Sequence, residues 1–253
     1  MGFLKLPALI HLKQPQYKDG FKPHGAHPEP ILELWTAFSG IVVFATYILY
    51  EQGVWAQLLS ADPTFLTALI AIIFSFATIW CGIRGHELAK QYQQFQAFET
   101  MLQTTPQHAR KWLEHESQSW AKAYFDGLLQ KGSHWRDNAQ LSNLLGEKAS
   151  GPHEMAWWVN GVLLKLGLLG KVIGFSIMAL QLGALDNFDA SQTSNILKTL
   201  TGGLGIALLT TMTGLTANIL LGIQLMRLDR FADSLTAKAI QIAEVDLIRI
   251  LPH

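Results

Sequence analysis

Apolar and polar stretches alternate along the chain in a way that divides it into five parts. Four runs are long and apolar: residues 31–50, 65–83, 155–184 and 203–226. Each comes close to or exceeds the ~20 residues that a helix needs to cross about 30 Å of hydrocarbon. Between the second and third runs lies a polar stretch, residues 84–154. Its apolar residues recur at intervals of mostly three to five: Leu88, Tyr92, Phe95, Phe98 and Leu102, then Trp112, Trp120, Tyr124, Leu128 and Leu129. That period belongs to amphipathic helices. It predicts a helical hairpin or bundle that prolongs the membrane helices, with breaks at Thr105-Pro106 and Gly132-Ser133. Beyond Met226, the residues Leu228, Phe231, Leu235, Ala239, Ile242 and Val245 fall on one face and predict an amphipathic extension of the fourth span.

The expected fold is therefore an all-α integral membrane protein with four transmembrane helices. Residues 1–30 form an N-terminal arm, 31–83 the first two spans, 84–154 a polar helical segment, 155–226 the third and fourth spans, and 227–253 a C-terminal helix. The arm is rich in Pro, His and Lys over residues 11–30. Either it lies along the membrane surface through Phe3, Leu4, Leu6, Leu9 and Ile10, or it is an unstructured tail. Lys5 and Pro7 interrupt its apolar piece, so it does not read as a cleavable signal. Pro28 and Pro30 precede the first span, and Trp35, Tyr47 and Tyr50 sit near its ends, where amphipathic rings favour the headgroup level. A loop over residues 51–63 ends in Asp62, a natural N-cap, with Pro63 at the first helical position of the second span. A second loop, residues 185–199, joins the third and fourth spans.

Composition agrees with a membrane protein: 49% of residues are hydrophobic and 15% charged, against roughly a quarter charged in soluble domains. The formal charge of zero argues against a nucleic-acid partner, which requires a basic excess. Four Lys and Arg residues lie in residues 1–30, eight in 84–154 and four after 226, whereas residues 51–63 have none and 185–199 only Lys198. By the positive-inside rule, both termini and the polar segment are cytoplasmic.

Candidate chemistry is sparse. The single cysteine, Cys81, lies inside an apolar run, so no intrachain disulfide or cysteine metal site is available. The histidines are scattered without metal-ligand spacing, and no Ser-His-Asp or Cys-His arrangement stands out. No catalytic centre, metal or cofactor is expected. Gly170-Lys171 is followed by Val172 where a phosphate-binding loop needs Ser or Thr. Gly167, Gly170 and Gly174, with Gly214 in the fourth span, fit close helix packing instead. Thr210, Thr211 and Asn218, together with a stripe of Asn160, Gly167, Lys171, Gly174 and Met178, predict a polar face turned to a pore or partner. No Asp, Glu or His occupies the middle of any span, so if protons move, another subunit supplies the titrating acid.

Two of these stretches resemble a known family. Gly-Leu-Leu-Gly-Lys-Val-Ile-Gly over residues 167–174 is followed, after one loop, by Gly205, Ala207, Leu208, Thr210, Thr211, Gly214 and Leu215. This order and spacing resemble the MotA/TolQ/ExbB proton-channel family over residues 155–230, and the two earlier spans resemble the four-helix flagellar stator subunit. The resemblance implies a homopentamer in the bacterial inner membrane whose third and fourth spans surround two copies of a single-span ExbD/TolR/MotB-like partner. A membrane aspartate of that partner carries the ion, and ion flow does mechanical work on the envelope. By resemblance Thr211 is the pore threonine, with Thr210, Asn218 and Gly174 close by.

Lys171 departs from the family pattern, which has Thr or a small residue at this position. A lysine at the centre of a span costs about 3 kcal/mol by insertion scales. It can pair with the partner's aspartate, deprotonate and join the relay, or extend to water as a structural residue. The expected function is an ion-conducting subunit of a force-generating complex. The alternatives are a non-conducting pentameric scaffold with Lys171 blocking the pore and, ranked below it, a solute transporter.

Overall fold

The computed structural model describes residues 31–62, 64–115, 119–131, 138–183 and 193–247; almost all of these are helical and none is in a strand. The N-terminal arm, Pro63, the Gly132-Ser133 break and residues 185–192 of the second loop lie outside the described residues. The helices are α1 (Ile31–Glu51), α2 (Val54–Ala61), α3 (Leu66–Thr104), α4 (Pro106–His115), α5 (Trp120–Gln130), α6 (Ala139–Gly183) and α7 (Thr193–Gln241). Four of them, α1, α3, α6 and α7, are long and apolar enough to cross a membrane. The chain is a helical, multi-pass membrane protein.

Three of the four do not stop where the apolar run stops. Helix α3 continues past Ile83 to Thr104, α6 begins in the polar segment, and α7 carries on to Gln241. At 39, 45 and 49 residues, they measure roughly 60–75 Å. Nothing after Ile83 breaks a helix until Thr105-Pro106, where the chain turns into α4. The first loop is not irregular throughout. Gly53, at φ 70°, turns the chain, and the helix-favouring segment VWAQLLSA forms α2.

Asp62 serves α3 from further away than an N-cap followed directly by Pro63 would. Helix α3 starts at Leu66, after Phe65 in the left-handed region (φ 56°), a conformation that costs a bulky residue strain. The Asp62 carboxylate accepts from the Thr67 N–H (2.7 Å), from the Thr64 N–H (3.0 Å) and from the Thr64 hydroxyl. These bonds satisfy one of the donors left open at the helix start and hold the strained turn. Burial pushes the Asp62 carboxyl pKa up, but the Thr64 and Thr67 bonds more than offset this, leaving it below the ordinary value. The second loop is shorter than residues 185–199, because α7 has begun by Thr193.

Helices α6 and α7 form an antiparallel hairpin that is paired along its whole length. Contacts run from Asn138–Glu244 (2.6 Å) through His153–Asp229 (2.7 Å) and Asn160–Asn218 (2.9 Å) to Thr211–Gly167 (3.2 Å). Helix α3 lies parallel to α7, meeting it at Thr78–Gln224, Tyr92–Phe231 and Glu99–Lys238. Helix α1 is peripheral, with Ile31 its only buried residue. It docks through Trp35, whose indole N–H donates to the Thr78 carbonyl (3.3 Å) and whose ring occupies the space a Cβ on Gly82 would need.

The polar end is closed by α4 and α5. Phe98 stacks on Phe125 (4.5 Å between centroids) and meets Trp112 (5.3 Å), while Leu102, Leu128, Leu235 and Ile242 are fully buried around them. The apolar period along residues 84–130 thus corresponds to one shared core. Val245 departs from the pattern expected for the C-terminal helix and is 60% exposed. The chain switches to a π turn over Ile242–Asp246, whose wider spacing brings Asp246 and Leu247 to the buried side instead.

Candidate functional site

The seam between α6 and α7 is built from the small and polar residues of both apolar runs. A Cβ on Gly214 would lie 2.7 Å from the Gly167 Cα, and one on Gly174 would lie 2.8 Å from the Ala207 N and 2.9 Å from the Gly203 O. Backbone therefore meets backbone, as small residues allow in membrane helices. A Cβ on Gly170 would collide with the Thr210 side chain. Thr210 is wholly buried there, its hydroxyl donating to the Ile206 carbonyl (2.8 Å). The Thr211 hydroxyl lies 2.7 Å from the Ala207 carbonyl and 3.2 Å from the Gly167 carbonyl across the seam. Asn218 donates from Nδ2 to the Asn160 carbonyl (2.9 Å).

The structure thus brings Asn160, Gly167, Gly170, Gly174, Thr210, Thr211, Gly214 and Asn218 together between two helices of the one chain. Lys171 is not among them. It is exposed beside Leu168, Leu169 and Val172, with Nζ 5.9 Å from the centroid of the Phe175 ring one turn on. A positive charge over a ring face is attracted to it, and among the described residues no salt bridge or hydrogen bond holds that ammonium. Among the described residues no group of His, Cys, Asp and Glu could hold a metal ion.

A second polar cluster sits where the apolar halves of the helices meet the polar segment, and periodicity alone did not reveal it. Pro152 lies inside α6. Having no N–H, it cannot bond the Lys148 carbonyl four residues earlier. Arg84, at the end of the apolar run of α3 and 7% exposed, supplies the missing donor. Its Nη2 donates to the Lys148 carbonyl (2.8 Å) and the Ala149 carbonyl (3.0 Å), and Nη1 donates to Glu87 (2.6 Å). The Trp120 ring of α5 packs against both Arg84 (5.5 Å) and the Lys148 ammonium (5.2 Å). Helices α3, α5 and α6 are tied together at this point.

Next to Pro152, His153 is 1% exposed and bonded through Nδ1 to Asp229 on α7 (2.7 Å); the Trp157 indole N–H donates to the same carboxylate (2.9 Å). Burial, which disfavours the charged ring, outweighs the carboxylate and holds the His153 pKa below its ordinary value. One sequence signal pointed to this cluster: a proline inside an otherwise helical pattern, with a histidine directly after it. No family model, curated protein or solved structure matches the chain.

Proposed function

We propose that the protein is an ion-conducting subunit of a force-generating complex, a pentameric inner-membrane channel and stator whose α6–α7 hairpins surround a single-span partner. Both termini and the polar bundle face the cytoplasm in this reading, and the ion is a proton. The observation that carries it is the exposed Lys171, an ammonium on an apolar helix face that makes no ion pair with an acidic side chain among the described residues. An ammonium at that depth is stabilised by a counter-charge, and the aspartate of an ExbD/TolR/MotB-like partner is the group the family resemblance provides. The seam supports the same reading. Its threonines and Asn218 bond to carbonyls and hold each hairpin as a rigid stave, which leaves recognition of the partner to the outer face. Lining of the pore then falls to Lys171 and to the half-buried Thr211.

The test is Lys171→Thr in the full chain, with co-purification of the single-span partner and proton flux in liposomes as readouts. Partner capture is expected to weaken and flux to change at least severalfold. Unchanged capture and unchanged flux would remove Lys171 from the mechanism. The rival scaffold reading is favoured by the same ammonium, since a fixed positive charge in a narrow pore repels cations. A complex that retains its partner but conducts nothing, and that begins to conduct on Lys171→Thr, would establish it.

A further inference from the structure

Three polar side chains in the wedge between α3, α6 and α7 each carry an atom with no hydrogen-bond partner: Nε2 of His153, Oε1 of Gln224 and Oδ1 of Asn160. All three residues are more than nine-tenths buried. Ionised Asp229 can only accept, so the bond to it places the proton of a neutral His153 ring on Nδ1 and leaves Nε2 a bare acceptor. The Trp80 ring lies perpendicular to the imidazole with centroids 6.1 Å apart, and no donor among the described residues reaches Nε2. Gln224 bonds through Nε2 to Thr78 (3.2 Å); turning the amide over would only exchange which end is left without a partner.

The three residues follow one another along the membrane axis. On α6, His153 and Asn160 are separated by two turns, about 10 Å. On α7, Gln224 falls between Asp229, the partner of His153, and Asn218, the partner of Asn160. The polar end of the row reaches solvent, since the Asp229 side chain is 36% exposed. At the inner end, Gly161 has nothing within 4 Å of where its Cβ would stand, and Gly222 would place a Cβ 3.5 Å from Asn160 Nδ2. The side chain missing at Gly222 leaves space beside the amide. Buried polar atoms that lack a protein partner are ordinarily satisfied by ordered water.

We propose that ordered water enters this wedge at Asp229 and reaches Asn160, forming a hydrated half-path inside each protomer along which protons leave toward the polar side. The carriage of protons rests on the ion-conducting reading above; the hydration does not. Arg84 on α3 and Asp233 on α7 also act on His153, so the mouth of the path holds one cation and two carboxylates around a neutral ring.

Two measurements on the full chain in lipid bilayers test it. In water-edited NMR, polarisation from water is expected to reach His153 and the Asn160 amide several times faster than Thr210, which is wholly buried in the seam. Transfer to His153 and Asn160 no faster than to Thr210 would overturn the hydrated path. The isosteric Gln224→Met is expected to keep the fold, to abolish the water signal at Asn160, and to lower proton flux of the complex with its partner at least tenfold. Wild-type flux in a Gln224→Met complex would overturn the carriage of protons. A wild-type complex that conducts nothing would sink the ion-conducting reading and the carriage with it, while the NMR result still decides hydration on its own.

Discussion

The bond between Arg84 and the Pro152 turn can be tested by a double-mutant cycle. Removing the guanidinium with Arg84→Met keeps an apolar stem of similar reach and withdraws two charge-assisted bonds, to the Lys148 and Ala149 carbonyls. Each such bond contributes about 1.5–3 kcal/mol when one partner is lost, and the stacking on Trp120 adds roughly 0.5–1 kcal/mol. The ion pair to Glu87 adds little, because that carboxylate is 47% exposed and screened by water. Some of the loss is offset, since the buried guanidinium has an unpartnered Nε and its desolvation cost disappears with it. A net loss of about 3 kcal/mol is expected.

The substitution Pro152→Ala restores an N–H at the position that can bond the Lys148 carbonyl within α6, making one of the two Arg84 bonds redundant. In that background Arg84→Met is expected to cost about 1–2 kcal/mol less, a coupling within the range of residues that share a partner. Equilibrium unfolding in mixed micelles, followed by tryptophan fluorescence, gives all four corners of the cycle. Additivity of the two substitutions within about 0.5 kcal/mol would refute the idea that Arg84 substitutes for the missing proline N–H.

Three further outcomes follow from the geometry. Gly214→Ala sets a methyl group 2.7 Å from the Gly167 Cα, where only backbone could yield; a loss of about 2–3 kcal/mol is expected, whereas Gly205→Ala, with nothing within 4 Å, should be neutral or stabilise by up to about 1 kcal/mol in the same unfolding assay. Asn218→Leu removes the bond to the Asn160 carbonyl and is expected to cost about 0.6–1.7 kcal/mol, read as a lower midpoint of unfolding; no change would show that bond to be energetically idle. The Asp62 pKa is depressed in the folded protein, so the unfolded chain binds more protons, and the stability this group contributes is present above about pH 4 and lost as pH falls through the folded pKa. Wild-type Tm should therefore drop more steeply than that of Asp62→Asn below pH 4, and parallel curves would show that the carboxylate does not stabilise the start of α3.

The spans were legible because crossing hydrocarbon demands an uninterrupted apolar run, and 31–50 and 155–184 meet that demand in composition alone. The polar bundle was legible for a related reason: Phe95, Phe98 and Leu128 keep a helical period whether the partner is lipid or another helix. What escaped depends on contacts remote in sequence. Arg84 and Lys148 are separated by 64 residues, and neither residue type announces a bond to a carbonyl freed by a proline. Val245 was misplaced because a single period was carried through a change of helix type. The stripe containing Lys171 was drawn from angles on one helix. Gly167 and Gly174 turn inward to α7, and the long Lys171 side chain leaves the edge of that stripe for the outer surface.

Because α3, α6 and α7 pass unbroken from their apolar halves into the polar bundle, each behaves as a lever rather than as two separate segments. The Arg84, Pro152 and Asp229 cluster binds them to one another at the crossing point and so acts as a fulcrum. A tilt of about 5° about that point displaces a helix end some 30 Å away by roughly 2.6 Å, about half the rise of a helical turn. A displacement of the apolar halves would in this way be delivered to the aromatic bundle of Phe98 and Phe125 without any helix having to unfold.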